Sequence, residues 1–193
     1  SRVCQAFASS LSAHSHLGIW PIWRIGTEAQ KEQYLKPAMA GLKVSCFGLS
    51  EPDGGSNIRA LKTHAKKVDG GYIINGSKLY ITNAPMADFM LLAARTSPEM
   101  SAKSISLFIV DLPSKQVEIQ KLAKESIRAS ETGLIFIDDL FVPESWQEVN
   151  LMPSEMGGRG AIYILKDHQK SFVLRHFLRG GLIKNISSDL YIW

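Results

Sequence analysis

The chain has 193 residues, 45% hydrophobic and 21% charged, which excludes a disordered or fibrous chain and fits one full domain, or one domain with fragments. The net charge of +4 sits at the two ends, +3 in residues 1–44 and +3 in residues 151–193, while residues 45–150 carry −2. No basic stripe crosses the centre, so nucleic acid is not an expected partner, and no stretch reaches the ~18 apolar residues of a membrane-spanning helix. Cys4 and Cys46 form neither a disulfide framework nor a metal motif, which points to a reducing, intracellular setting. The N-terminus, SRVCQAFASS, has no basic region ahead of an apolar run and no initiator Met. No signal peptide is expected, and the chain is expected to begin within a longer protein.

Val3, Phe7, Leu11 and His14 recur at helical spacing and predict a first helix with these residues on one face, ended or interrupted by Gly18 and Pro21. A second helix starts at Thr27, where Thr27-x-x-Gln30 has capping-box spacing and Glu28 suits a helix N-terminus. Tyr34 and Leu35 give it apolar contacts, Pro37 perturbs it, and Gly41 is the expected stop. Two short helices make too little core to stand alone, so residues 1–44 read as the end of a helical domain.

From Val44 the pattern turns to strands. Residues 44–49 form an apolar run, residues 52–57 a loop dense in turn residues, and residues 63–68 a strand. After a turn at 69–71, residues 72–74 and 78–82 read as two strands of a hairpin whose two-residue turn is Asn75-Gly76. Residues 89–94 and 105–110 are predicted as buried strands around a polar loop at 96–104. Residues 117–122, 133–137 and 140–142 complete the set, with Asp138-Asp139 marking a turn. Seven or eight short strands with no helix between them predict an antiparallel β-barrel or sandwich, α+β overall with its flanking partial helices. Further on, residues 156–160 read as a loop, residues 161–166 and 172–178 as short helices, and residues 182–193 show no clean period.

Two stretches carry residues suited to holding a ligand. Phe47-Gly-Leu-Ser-Glu-Pro-Asp-Gly-Gly-Ser-Asn57 combines glycines, which let backbone N–H groups approach a phosphate or ring system, with the hydroxyls of Ser50 and Ser56. It is neither a Rossmann fingerprint nor a Walker loop, and alone it also reads as a surface turn. In Asn75-Gly-Ser-Lys-Leu-Tyr-Ile-Thr-Asn83, strand alternation puts Tyr80 and Thr82 on one face. That is an aromatic plate beside a hydroxyl, a wall for a flat heteroaromatic ring; alone, it also reads as cross-strand packing. His14 and His16 point apart on a helix and make no metal site with Cys4. Lys66-Lys67 reads as a solvated edge, Arg128 and Ser130 as loop supports, Trp20 and Trp23 as core or interdomain contacts, and Asp138-Asp139 as a turn rather than a hydrolytic pair.

Taken in order, FGLSEPDGGSN, INGSKLYITNA, an apolar strand, LFIVDLP and IRASETGLIFIDDLFVP resemble the acyl-CoA dehydrogenase family over residues ~14–150. The segment GTEAQKEQYL is similar to that family's G-T-x-x-Q-K-x-x-Y-L element. The resemblance implies that residues 1–44 end an N-terminal helical domain. It makes residues 45–150 an FAD- and acyl-CoA-binding β-domain, and residues 151–193 the truncated or divergent start of a C-terminal four-helix domain. It implies a flavoprotein oxidoreductase of fatty acid metabolism that oxidises an acyl-CoA to the 2-enoyl-CoA. A glutamate takes the α-proton, a hydride passes to FAD, and an electron-transfer flavoprotein receives the electrons. A homo-oligomer is implied for the full-length protein, in the cytoplasm or, in a eukaryote, the mitochondrial matrix.

Residue by residue, the resemblance assigns cofactor binding to Phe47, Leu49, Ser50, Gly55, Ser56, Tyr80, Ile81 and Thr82. Leu49 and Ser50 are expected nearest the isoalloxazine edge, and the Thr82 hydroxyl near the flavin N5. Gly55 and Ser56 are expected near the FAD pyrophosphate, with Ser56 also on the substrate's CoA side. The chain departs from the family in places. Tyr80 stands where Trp is usual, Asp53-Gly54 where Gly-Ala or Asn-Ala is usual, and Asn57 where Asp is common. Asp53 adds a carboxylate on the phosphate side, repulsive unless it points to solvent. Beyond Met156-Gly-Gly-Arg-Gly-Ala-Ile-Tyr the four-helix domain finds no match. The R-K-T-F-G element and the Y-E-G-T element with its glutamate base are absent, and nothing places Glu155 beside a thioester. No catalytic residue is therefore assigned, and this chain alone is not expected to turn over. Two alternatives stand beside an enzyme fragment: a non-catalytic β-domain acting as a binding or assembly module, or a superfamily oxidase or monooxygenase with a non-CoA substrate.

Overall fold

A computed structural model describes the backbone of residues 4–54, 57–99, 104–144, 147–153, 161–166 and 171–176, with side chains up to residue 144 other than that of Arg59. The first helix runs past the glycine expected to end it. α1 (Gln5–Ser12) continues through a π-helical stretch, Ala13–Ile19, into α2 (Trp20–Ile25). Gly18 is there for close approach, since a Cβ at that position would lie 2.0 Å from Ser45 Oγ. Pro21 falls in the first turn of α2, where a missing N–H is harmless. The buried face differs from the one the spacing predicts. Phe7 and Leu11 are 64% and 50% exposed, whereas Ala6, Ala13, Ile19 and Ile22 are buried. The π-helical stretch shifts the helical phase, and the helix enters the core through Ile19 and Ile22.

Thr27 opens α3 (Glu28–Gln30) with both bonds of a capping box. Gln30 N–H donates to Thr27 Oγ1 at 3.2 Å, and Thr27 N–H donates to Gln30 Oε1 at 2.7 Å. The helix continues through Lys31–Leu35, again π-helical, to α4 (Lys36–Met39), and Gly41 at φ +73 turns the chain away.

Ten strands follow: β1 (Ser45–Gly48), β2 (His64–Val68), β3 (Gly71–Thr82), β4 (Phe89–Arg95), β5 (Ile105–Asp111), β6 (Val117–Lys121), β7 (Thr132–Pro143), β8 (Gln147–Pro153), β9 (Ala161–Lys166) and β10 (Ser171–His176). They form one sheet in the order β10-β9-β8-β5-β4-β2-β3-β7-β6, with β1 off this path and paired to β4. The architecture is an α+β half-barrel with helices on one face. Its sheet is mixed rather than wholly antiparallel. β5 takes one edge of β4 antiparallel, while β1 and β2 share the other in parallel, Ser45–Gly48 lying opposite residues 89–92 and His64 opposite Arg95.

β4 is the centre of both cores. Phe89, Leu91 and Ala93 face the helices with Ile22, Tyr34 and Leu35, and Met90, Leu92 and Ala94 face the barrel with Cys46, Ile74 and Phe108. All six are 0% exposed, so β4 is apolar without alternation, as a strand buried on both faces must be.

Four further sequence expectations are corrected. Asn75-Gly76 is not a hairpin turn, because β3 passes straight through it. The Asn75 amide is spent across the sheet instead: Asp139 N–H donates to Asn75 Oδ1 at 2.8 Å, and Asn75 Nδ2 donates to Asp139 Oδ1 at 3.0 Å. Asp138-Asp139 is likewise no turn but a bulge inside β7, with Asp139 at φ +47. Residues 161–166 and the run from 171 are strands, β9 against β10, rather than short helices. Each run is six residues long and rich in β-branched or aromatic types, which suits a strand better than a helix. β2, bearing Lys66 and Lys67, is not an edge strand, although both lysines are solvated. The loop expected at 156–160 and the segment 182–193 lie outside the described residues.

Gly76 earns a direct test. A Cβ there would sit 2.5 Å from Thr63 Oγ1 and 2.7 Å from Thr63 Cα, at φ +151. Gly76→Ala is expected to cost about 2–4 kcal/mol in urea denaturation, from strain and overpacking together. Gly70→Ala, at φ +74 but facing open space, should cost only about 1 kcal/mol.

Candidate functional site

The loop after β1 leaves the sheet where β1 and β2 part along β4. It is pinned at once. Glu51 and Gly54 exchange backbone hydrogen bonds, Glu51 N–H to Gly54 O at 2.8 Å and Gly54 N–H to Glu51 O at 3.2 Å, across Pro52-Asp53. Proline in the second position of such a turn is pre-set for it. Asp53 points outward and pairs with Lys62 at 2.7 Å, both well exposed. The extra carboxylate thus points to solvent, the orientation in which no repulsion toward a phosphate was expected.

Beneath the turn lies an ion pair that sequence reasoning passed over. Lys78 is fully buried, and its Nζ donates to Glu51 Oε1 at 2.9 Å and to Leu49 O at 3.2 Å. Glu51 Oε1 also accepts from Thr63 N–H at 2.9 Å and Thr63 Oγ1 at 2.5 Å, and Oε2 accepts from Lys62 N–H at 2.6 Å. One signal for it lies in the sequence: Tyr72, Ile74 and Lys78 share strand parity, which puts a lysine on a core-facing row. Burial pulls the Lys78 ammonium down to about 8, against the attraction of Glu51. For Glu51, burial alone would raise the carboxyl, but the Lys78 charge and the donors from Thr63 and Lys62 outweigh it and hold it below its ordinary value.

Next along β3 is a bulge. Three steps from Lys78 to Ile81 face two steps on β7, from Ile135 to Gly133, and Tyr80 takes φ +60. The bulge reverses the parity. Ile81 enters the barrel core at 3% exposure, Tyr80 stands out at 69%, and Thr82 is half-buried. Tyr80 and Thr82 thus both lie off the core face, as expected, but through a kinked backbone rather than plain alternation. Asn83, at φ +70 and 1% exposed, closes the wall. Its Nδ2 donates to Ser10 O at 2.9 Å and Ser45 O at 3.3 Å, tying α1, β1 and the end of β3 together.

The two predicted stretches meet. Leu79 N–H donates to Ser50 O at 2.9 Å, so the Ser50 loop lies directly against the strand that bears Tyr80. Phe47 is half-buried against the helical-side core, and Leu49 is inside it at 4% exposure. Leu49 therefore offers a ligand its backbone, not its side chain. Ser50, Tyr80 and Thr82 have hydroxyls with no hydrogen-bond partner among the described residues. Gly55 and Ser56 lie outside the described residues. Two hydroxyls, an exposed aromatic face and a loop whose carboxylates are both neutralised form a donor set that fits a flat, anionic cofactor. Among the described residues no group of three or more His, Cys, Asp or Glu is placed to hold a metal.

Of the two residues expected to support the loop, Arg128 is exposed and donates from Nε to Glu125 O at 3.3 Å. Ser130 is 2% exposed and within 3.3 Å of Ser10 Oγ. His14 is half-buried inside the π-helical stretch. Ser45 N–H donates to its Nδ1 at 3.0 Å, which leaves Nε2–H to face Ala38 O at 3.3 Å. Trp20 packs on the helical-side core, while Trp23 is 52% exposed beneath Arg24, whose guanidinium lies 5.7 Å from the ring centroid. No helix among the described residues is long and apolar enough to cross a membrane.

Two outcomes test the buried pair. Lys78→Met leaves the Glu51 charge uncompensated and should cost about 3–5 kcal/mol in urea denaturation. The acid limb of the stability profile carries a second signature. A carboxyl held low when folded adds stability that is present above its ordinary value of 4.5 and is lost as pH falls through its lower folded value. Urea midpoints taken from pH 6 down to pH 2 should therefore fall more steeply for the wild-type chain than for Glu51→Gln.

The chain matches two family models, acyl-CoA dehydrogenase N-terminal domain over residues 1–42 and acyl-CoA dehydrogenase middle domain over residues 46–140. Among curated proteins, the mitochondrial isovaleryl-CoA dehydrogenase of Arabidopsis thaliana is 39% identical over 166 residues, 86% of this chain and 39% of that protein. Among solved structures, butyryl-CoA dehydrogenase from Megasphaera elsdenii superposes with a TM-score of 0.73 at 35% identity, covering 75% of this chain and 38% of that one. Glutaryl-CoA dehydrogenase from Mycobacterium smegmatis in complex with FADH2 gives 0.69 at 34% identity, covering 74% and 36%. The chain thus spans about two-fifths of the length of such relatives. With two adjoining domain models matched in order, and the half-barrel shared with solved members, the chain belongs to the acyl-CoA dehydrogenase family.

Proposed function

We propose that this chain is the cofactor-holding portion of a flavin-dependent acyl-CoA dehydrogenase, with residues 1–44 as the end of a helical domain and residues 45–150 as the β-domain, whose sheet β8, β9 and β10 carry on into residues 151–193 in place of the start of a helical domain. The observation that carries this reading is the exposed Tyr80 ring on β3, two residues from the unpartnered Thr82 hydroxyl and beside the Ser50 loop, whose two carboxylates are each paired with a lysine. FAD, when bound, supplies the two-electron acceptor for oxidation of an acyl-CoA to its 2-enoyl-CoA. Tyr80 offers one face to the ring and excludes water from that side. Thr82 and Ser50 donate to the ring's polar edge, and the backbone of Phe47 and Leu49 lines it. Ile81 takes no direct part but anchors the wall in the barrel core. Gly55 and Ser56 are assigned to the pyrophosphate, and Ser56 also to the CoA of the substrate. In this reading the full protein self-associates and passes its electrons to an electron-transfer flavoprotein, and no residue here is assigned as the α-proton base. The setting in this reading is intracellular, a bacterial cytoplasm or a mitochondrial matrix.

The test is an FAD titration of the purified 193-residue chain followed by visible absorbance. Saturable binding with a perturbed flavin band is expected. Each lost hydrogen bond should cost about 0.5–1.5 kcal/mol, so Ser50→Ala with Thr82→Ala should weaken binding roughly 5- to 150-fold. A folded wild-type chain that leaves the flavin spectrum unchanged would reject the reading.

A further inference from the structure

A lysine with no exposed surface is an expensive way to fill a core. Replacing a buried ion pair by apolar groups of similar volume is often neutral or stabilising, so stability alone does not account for Lys78 and Glu51. Their contacts do. Lys78 Nζ holds the Leu49 carbonyl just past the end of β1, where the β1–β4 ladder has stopped, and it holds Glu51, the first residue of the turn. Glu51 in turn gathers Lys62 N–H, Thr63 N–H and Thr63 Oγ1 from the return limb of the same loop. Ser50 lies between the two clamped residues, and its carbonyl is bound by Leu79, next to Tyr80. An apolar pair would fill the space but bind none of these groups.

We propose that Lys78 and Glu51 are positioning residues for the cofactor: they fix the height and register of the Ser50 loop against the Tyr80–Thr82 wall and so set how tightly, and in what environment, the flavin is held. The inference rests on the flavin reading of the site. Neither residue needs to touch the flavin; both act through Ser50 and the Leu49 backbone.

The test uses the 193-residue chain, wild-type and Lys78→Met/Glu51→Gln, which removes both charges and keeps an acceptor for Thr63. Circular dichroism checks the fold, absorbance-monitored FAD titration reads the site, and amide exchange at Leu79 reads the loop independently of any flavin. The folded double variant should bind FAD at least tenfold more weakly and lose the fine structure of the bound flavin band. Its Leu79 amide should exchange at least tenfold faster, with Leu91 and Leu107 unchanged. Wild-type affinity, band shape and Leu79 protection in a folded double variant would overturn the proposal. Should that variant not fold, Thr63→Val removes one hydroxyl donor to Glu51 while leaving both charges. At least threefold faster Leu79 exchange supports the clamp, and no change overturns it. A wild-type chain that binds no FAD, with Leu79 exchange responding as described, would remove the flavin reading while leaving the loop clamp in place.

Discussion

β4 has two edges and three neighbours. β5 occupies one edge along its full length, and β1 and β2 must divide the other between them. β1 and β2 run in the same direction along that edge, opposite residues 89–92 and 95, and between Gly48 and His64 the chain leaves the sheet and returns. That excursion carries the candidate site. It also leaves backbone groups without ladder partners, which a buried segment cannot tolerate. The anchors sit at its two ends: Lys78 serves Leu49 at the exit, and at the return Arg95 donates from its backbone to Thr63 O at 2.9 Å and from Nε to Leu61 O at 3.1 Å.

The helices are joined to this arrangement by polar contacts as well as by their apolar side. His14 grips the start of β1, Asn83 reaches from the end of β3 to α1, and Ser10 meets Ser130 on the loop before β7. These contacts converge on the strand ends that frame the site, whereas Ile22, Tyr34 and Leu35 pack across the middle of β4. Apolar burial supplies attraction without direction, and the hydrogen bonds fix the register at which the helices settle.

Much of this was legible in residue order. The capping box at Thr27, the stop at Gly41, and the unbroken apolar runs of β4 and β5 follow local rules that tertiary structure did not override. Tyr80 and Thr82 stand off the core face only because a bulge resets the parity of β3, which alternation did not foretell. Several of the failures share one cause, a residue whose local preference was spent on a distant partner. Asn75-Gly76 has the chemistry of a tight turn, but Asn75 is engaged by Asp139, 64 residues away, and Gly76 by the close approach of Thr63. Gly18 looks like a helix stop until Ser45 lies against it. Lys78 looks like a surface lysine because its partner, Glu51, lies 27 residues earlier in a loop that reads as solvent-facing. Parity along β3 was the one local sign that it turns inward.

The two cysteines sit on opposite sides of the fold's boundary. Cys4 is exposed at the start of α1, while Cys46 on β1 is fully enclosed in the barrel-side core, where burial pushes its thiol up. A thiolate-seeking reagent therefore meets one sulfur in the intact chain and reaches the other only when β1 parts from β4. The chain carries its own clock for that event: the lag between the first and second modification measures how long the strand that launches the site loop stays in place.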